Sequence, residues 1–352
     1  DGKMKPVSIF DGVKSTSTRH KRSEFDGVEE VSIDKFMKDI LPACTAVEAF
    51  LSNSQSGNLV SLTTANEDSK PIFKWNNNYS WTFNGNLAGK SQIKENVKNA
   101  GGKIEGVLRC SLQWNDAETL GIVDLDLHCR ESRASEIFLR NKKSRLTGGW
   151  LDVDMIRPTK VGIENITWQD KLKDMEYHFY VRNYCGSANR GFKVEIEFDG
   201  NVFNYHYANP LAGGQVVMVA TVIVKDGKMD IKHHLPESSA SKELYGLETN
   251  QFHKVNLVCL SPNHWGENNV GNKHYFFMLE GCKSPVSIRG FHNENLLPEL
   301  AQHRKVLEVL GATNMIPPSN KQLSGLGFNA TVRDELIVKL QGSHKRVIKI
   351  KF

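Results

Sequence analysis

From residue 104 to about 235, apolar side chains recur at every second position. "VLRCSLQW" places Leu108, Cys110, Leu112 and Trp114 on one face. "VDLDLHC" does the same with Val123, Leu125, Leu127 and Cys129, and "WLDVDM" with Leu151, Val153 and Met155. "YHFYV", "FKVEIEF", "NVFNYHY", "QVVMVATVIV" and "MDIKHHL" continue the series. Period-two alternation over short runs predicts half-buried strands. "DG" at 199–200 and 226–227 separates strand-like runs, the signature of tight hairpins. The expectation is a mainly β protein built on an antiparallel sandwich or jelly roll, with α+β regions on either side.

Outside that stretch the period changes. "SIDKFMKDILP" reads as a short helix, with Ser32 as cap, Ile33, Phe36, Met37 and Ile40 as the apolar stripe, and Pro42 as the stop. "SQIKENVKNAGG" reads as a second helix closed by Gly101-Gly102, and "LLPELAQHRKVLEVLG" as a third. "NLVSLTT", "KVNLVCL", "KHYFFML", "DELIVKL" and "RVIKIKF" read as strands. The expected division is an N-terminal α/β region with a polar arm over 1–103, the sandwich over 104–235, and a C-terminal α+β region over 236–352 packed on it.

Composition narrows the function classes. The 352 residues are 39% hydrophobic and 24% charged, ordinary for a soluble globular chain. A net charge of +5 is too weak to imply nucleic acid by itself. Six scattered cysteines contain no CxxC pair, so they read as small buried hydrophobes of a reducing compartment. No apolar run reaches membrane-spanning length. A cytoplasmic or virion-associated location is expected over a secreted one. The chain begins with Asp1, so a removed leader stays open.

Three constellations carry candidate chemistry. Asp124 and Asp126 share one pleated face, about 7 Å apart, and repel unless something offsets their charge. Asp152 and Asp154 form a second D-x-D pair, and Glu164 follows ten residues on. Together the five are candidate ligands for Ca2+, which takes six to eight oxygens, with Asn115 or Asn165 able to add an amide oxygen. The alternative is a solvated strand face. The loop "SPNHWGENNVGNKHYFF" offers His264, Trp265, Asn268, Asn269 and His274, an aromatic platform with amides suited to sugars or nucleobases. "KWNNNYSWTFNGN" alternates Trp75, Tyr79, Trp81 and Phe83, as expected of core or an inter-domain seam. "LAGKS" lacks the first glycine of a phosphate loop. No G-x-S-x-G or HExxH motif occurs.

The motifs "SLQWND", "VDLDLHC", "GGWLDVDM" and "GIENITW" resemble the YfaP-type bacterial domain of unknown function over about Leu108 to Phe198. That resemblance implies a β-sandwich and no settled activity. The sequence departs from the pattern after "DLDLHC", where "RESRASEIF" replaces a Pro-x-Gly turn. The longer arrangement, with "KWNNNYSW", "SPNHWGENNVGNKHYFFM" and "QLSGLGF", resembles uncharacterised phage and prophage proteins. A fainter likeness runs to calcium-binding sandwiches of the tellurite-resistance type.

The leading expectation is a non-enzymatic binding or structural module, phage-encoded on that resemblance and calcium-stabilised, that recognises a protein or glycan partner. A metal-dependent hydrolase using the 261–277 loop is one alternative. A nucleic-acid binder using the basic runs "RHKR" and "SHKRVIKIKF" is the other.

Overall fold

A computed structural model describes residues 19–54, 58–63, 80–84, 91–115, 123–156, 158, 160–186, 189–260, 273–285, 287–289, 302–303, 305–306, 309–310, 313, 315–316, 318–330 and 334–352. The N-terminal segment supplies β1 (Glu29–Ser32), α1 (Ile33–Lys35), β2 (Ala46–Leu51), β3 (Asn58–Thr63), β4 (Ser80–Asn84) and α2 (Gln92–Asn99). The middle supplies β5 (Leu108–Trp114), β6 (Asp124–Arg130), β7 (Glu136–Ile137), β8 (Trp150–Asp154), β9 (Gly162–Trp168), β10 (Glu176–Cys185), β11 (Phe192–Phe198), β12 (Asn201–Tyr207), β13 (Val216–Lys225) and β14 (Lys228–His233). The C-terminal segment supplies the short β15 (Glu243–Leu244) and β16 (Leu247–Glu248), then β17 (Gln251–Leu260), β18 (His274–Leu279), β19 (Ile288–Arg289), β20 (Met315–Ile316), β21 (Gln322–Asn329), β22 (Glu335–Gln341) and β23 (Lys345–Lys351).

The middle strands make two five-stranded antiparallel sheets, β14-β13-β10-β6-β7 and β12-β11-β5-β9-β8. Their inner faces share one core, which contains Leu108, Cys110, Leu112 and Trp114 from β5, Leu125, Leu127 and Cys129 from β6, and Phe179, Val194 and Ile196. The alternation predicts these residues because a half-buried strand has a side-chain period of two. The two Asp-Gly hairpins form as expected. Asp199 and Gly200 have φ of 49° and 68°, and Asp226 and Gly227 have 52° and 72°. Two consecutive positive φ values define a type I′ turn, whose twist matches the flanking strands.

The strands of the two flanks interleave instead of forming separate N- and C-terminal regions. They build one nine-stranded sheet, β1-β23-β22-β2-β17-β18-β21-β3-β4, in which only the β1–β23 pair is parallel among the described pairings. One apolar cluster gathers Val47 and Leu51 of β2, Phe277 of β18, Phe328 of β21, Val338 of β22 and Ile350 of β23, so the sheet curls over its own core. Phe36 and Ile40 enter the same core from α1 and the π turn that continues it, and Ser32 caps α1 by accepting the Lys35 N–H at 3.3 Å. The sandwich is thus an insertion between β4 and β17 of this sheet.

The described part of the polar arm is tied to the rest of the molecule: Arg19 bonds Thr249 and Glu237, the His20 amide donates to Asn250, Lys21 pairs with Asp230 and Arg22 with Glu335. Residues 1–18 lie outside the described residues. Two expectations are corrected. The face carrying Asp124, Asp126 and His128 is not wet: they are 2%, 6% and 4% exposed. The segment after β6 folds back over it, and His128 stacks between Phe138 and Tyr180. Nor do Leu151 and Val153 share a face. A register shift between them turns Val153 toward Ile93 and Val97 of α2, while Leu151 stays in the sandwich core.

Candidate functional site

The register shift in β8 also divides the second D-x-D pair. Asp152 accepts from the Lys103 amide (2.6 Å) and from Asn165 Nδ2 (2.7 Å) on the α2 side. Asp154 lies on the other side, directly across from Glu164 and 2.7 Å from Lys142 Nζ. Of the five predicted carboxylates, four meet at the seam where β6 approaches β9: Asp124, Asp126, Asp154 and Glu164. β7 pairs only with Cys129 and Arg130, so among the described residues the rest of that β6 edge has no neighbouring strand. Glu164 Oε2 takes the place of one, accepting the Leu127 amide at 2.5 Å.

The seam is strongly perturbed. Burial, then Asp124 and Asp154, push the Asp126 pKa up to about 6 against the pull of Arg182. Burial holds Glu164 well above the carboxylate range, with Asp126 and Asp154 adding to it and the Leu127 amide opposing. Among the described residues, no group of three or more His, Cys, Asp or Glu side chains is placed to hold a metal ion. Lys142 reaches Asp154 and the Leu127 amide reaches Glu164, while Asp154 Oδ1 is buried with no hydrogen-bond partner. Asn115 has both amide atoms buried without a partner, and it directly follows Trp114, whose ring N–H donates to the carbonyl of Val123, next to Asp124, at 3.1 Å.

Of the loop candidates, His264, Trp265, Asn268 and Asn269 lie outside the described residues, as do Trp75 and Tyr79. His274 is buried at the start of β18, with its ring 6.3 Å from that of Phe276. The basic runs are paired with acids: Arg346 with Glu29, Lys349 with Glu30, and Lys351 with Glu30 and Glu335.

A different site emerges on the outer face of the sheet β12-β11-β5-β9-β8. The residues that alternate with the β5 core positions are Arg109, Ser111 and Gln113, and all are buried. Arg109 bonds Glu195 and Glu197 (2.6 Å to the latter) and Ser111 Oγ (2.5 Å). Lys94 of α2 holds the same Glu197 at 3.0 Å. Although burial raises it, these two cations bring the Glu197 pKa below its ordinary value. Ser111 donates to Asn165, and Asn96 of α2 donates to Gln113 Oε1 at 2.9 Å. This polar layer is closed by α2, which packs Ile93 and Val97 on Val153 and Ile163.

Toward β12 the cover ends and a cleft of ≈ 460 Å³ opens. Its floor is set by register: Lys193 of β11 sits across from Gln113 on one side and His206 on the other, and Glu195 across from Ser111 and Asn204. The start of α2 makes one wall, and Asn53 with Ser238 and Ser239 makes another. Asn53 is fixed there because its side chain pairs with Val202 of β12 like a strand, donating to the carbonyl (2.6 Å) and accepting the amide (3.0 Å). Gln113 is 1% exposed and lines this cleft, yet its Nε2 has no hydrogen-bond partner. An orphaned buried amide donor is costly and calls for an explanation. Sequence reading missed this site because Arg109, Ser111, Gln113, Lys193 and Glu195 look like an ordinary solvated strand face. The one local signal was their complementary charge on "VLRCSLQW" and "FKVEIEF". The chain matches no family model and no curated protein.

Proposed function

We propose that this protein is a non-enzymatic binding module that seats a glycan in the cleft between β11–β12, α2 and Asn53. The observation that carries the reading is the Gln113 amide, a buried donor without an acceptor on the cleft lining. A ligand hydroxyl or ring oxygen supplies that acceptor. The volume falls in the range of small-molecule sites, and the lining mixes amides, hydroxyls and one carboxylate with Ile93, Val202 and Leu244. Such a lining suits a hydroxylated ring with an apolar face better than an extended apolar peptide.

Binding is favoured over hydrolysis by the carboxylates. Cleaving a glycosidic bond takes two of them flanking the bond. Among the described residues lining the cleft, Glu195 is the one carboxylate, and it is locked in an ion pair with Arg109.

The test is a glycan array probed with the full chain, followed by titration calorimetry on the hits. Gln113→Met fills the same space without a donor, and Asn204→Ala trims the rim. Both variants are expected to stay folded by circular dichroism and to lose affinity. An array without hits from a folded sample, or affinities untouched by both variants, would sink the proposal. Capture of a protein segment by this same cleft would redirect it.

A further inference from the structure

The lining of the cleft is chemically uneven around Gln113. That side chain is 1% exposed and is covered in part by α2. Asn96 of α2 donates to Gln113 Oε1 at 2.9 Å, which fixes the amide and leaves Nε2 as its atom without a partner. Beside this donor the lining is apolar. Gln113 lies across from Ile163 in the β5–β9 register, and Ile93 of α2, which packs on Ile163, lines the cleft. The next row along the same face of the sheet is Ser111, Glu195 and Asn204. There Glu195 accepts from Arg109, and Asn204 stands across from it in register. Carboxylate and side-chain amide oxygens carry more than one acceptor site each, so this row suits an N–H.

An enclosed donor, an apolar wall next to it and acceptors one row away all bear on a single ligand group. A ring hydroxyl stands close to its sugar ring and brings nothing to the apolar wall. A secondary amide answers each demand: its carbonyl oxygen reaches further out from the ring, its N–H points the opposite way, and its methyl is apolar. We infer that the sugar seated in this cleft is an N-acetylated amino sugar, its acetamido carbonyl accepting from Gln113 Nε2, its methyl against Ile93 and its N–H turned to the Glu195–Asn204 row. This rests on the glycan reading above and names the class of sugar. A sugar that closes the cleft without reaching Gln113 shuts that donor off from water and leaves it unpaired, which is the costly case. The site therefore rejects the plain sugar as well as welcoming the acetylated one.

The experiment sorts the glycan-array hits of the full chain by their acetamido groups. Each hit is then compared by calorimetry with its analogue bearing hydroxyl in place of acetamido: chitotetraose with cellotetraose, N-acetyllactosamine with lactose, or N-acetylgalactosamine with galactose, as the hits direct. The hits are expected to carry acetamido, and its replacement to weaken binding roughly tenfold or more, the loss of one hydrogen bond to a buried donor. Gln113→Met is expected to bring the acetamido sugar down toward its hydroxyl analogue. On the parent protein, saturation-transfer NMR is expected to put the strongest transfer on the acetamido methyl. Hits without acetamido, equal binding by a hit and its analogue, an acetamido sugar indifferent to Gln113→Met, or transfer centred away from the methyl overturns the inference and leaves the glycan reading standing. An empty array from a folded sample removes the reading and the inference with it.

Discussion

Glu164 points into the sandwich because its neighbours on β9 leave it no other side. Ile163 packs under α2 and Asn165 bonds Ser111 there, while Ile166 and Trp168 alternate with them into the core. A carboxylate so placed is stabilised as its protonated form, and Asp126 beside it shares the effect. The folded chain therefore holds protons that the unfolded chain releases at about pH 4. The stability tied to these groups is full below that pH and is lost as pH rises, through about 6 for Asp126, with Glu164 shifted in the same direction. Denaturant midpoints are expected to fall between pH 5 and 8 more than a chain without this seam would show. Glu164→Gln keeps an oxygen for the Leu127 amide and removes the charge, so it is expected to flatten that decline. A steeper decline in the variant would contradict this account. If the seam takes calcium, millimolar calcium at pH 8 is expected to raise the midpoint; an unchanged midpoint would leave its carboxylates to Lys142 and protons.

At the level of elements, the β5, β6 and β11 core positions were legible because each strand repeats the same alternation for seven residues. Leu127→Ala is expected to cost about 2–5 kcal/mol, read from urea denaturation, because the side chain is fully enclosed. The helix α2 was legible from its cap and closing glycines. Ser91→Ala removes the bond to the Lys94 amide and is expected to cost about 1 kcal/mol. What the sequence did not disclose is what covers each polar face. "DLDLHC" and "VLRCSLQW" have the pattern of a solvated sheet, and only the chain returning over β6, and α2 over β5, makes those faces interior. The register shift in β8 was equally hidden. One extra residue in a strand leaves no mark on composition, yet it separates Asp152 from Asp154 and Leu151 from Val153. The cleft depends on strands and a helix far apart in sequence, so no local window contains it.

For the whole molecule, the interleaved sheet decides which pieces stand alone. β17 and β22 pair with β2, β21 with β3 and β23 with β1, all from the other flank, so residues 237–352 are expected to give no cooperative melt by circular dichroism. Residues 91–236 carry a complete core of their own and are expected to melt cooperatively. The same fragment begun at 104 loses α2 and exposes Ile163, Val153 and the Arg109 layer, so it is expected to melt lower. Equal melting of the two fragments would mean that α2 contributes nothing to the sheet it covers.

The parallel pairing of β1 with β23 gives the molecule a mechanical character. Parallel neighbours run the same way, so a pull on the chain entering β1 and on the chain leaving β23 acts at opposite ends of the pair. The strands must slide past each other, and their hydrogen bonds share the load instead of parting singly. The sandwich hangs within this sheet as an insertion and bears no tension until the sheet yields. Stretched between its ends in a force spectrometer, the protein is expected to resist first at this clamp, and the slack stored in the sandwich to be released only afterwards.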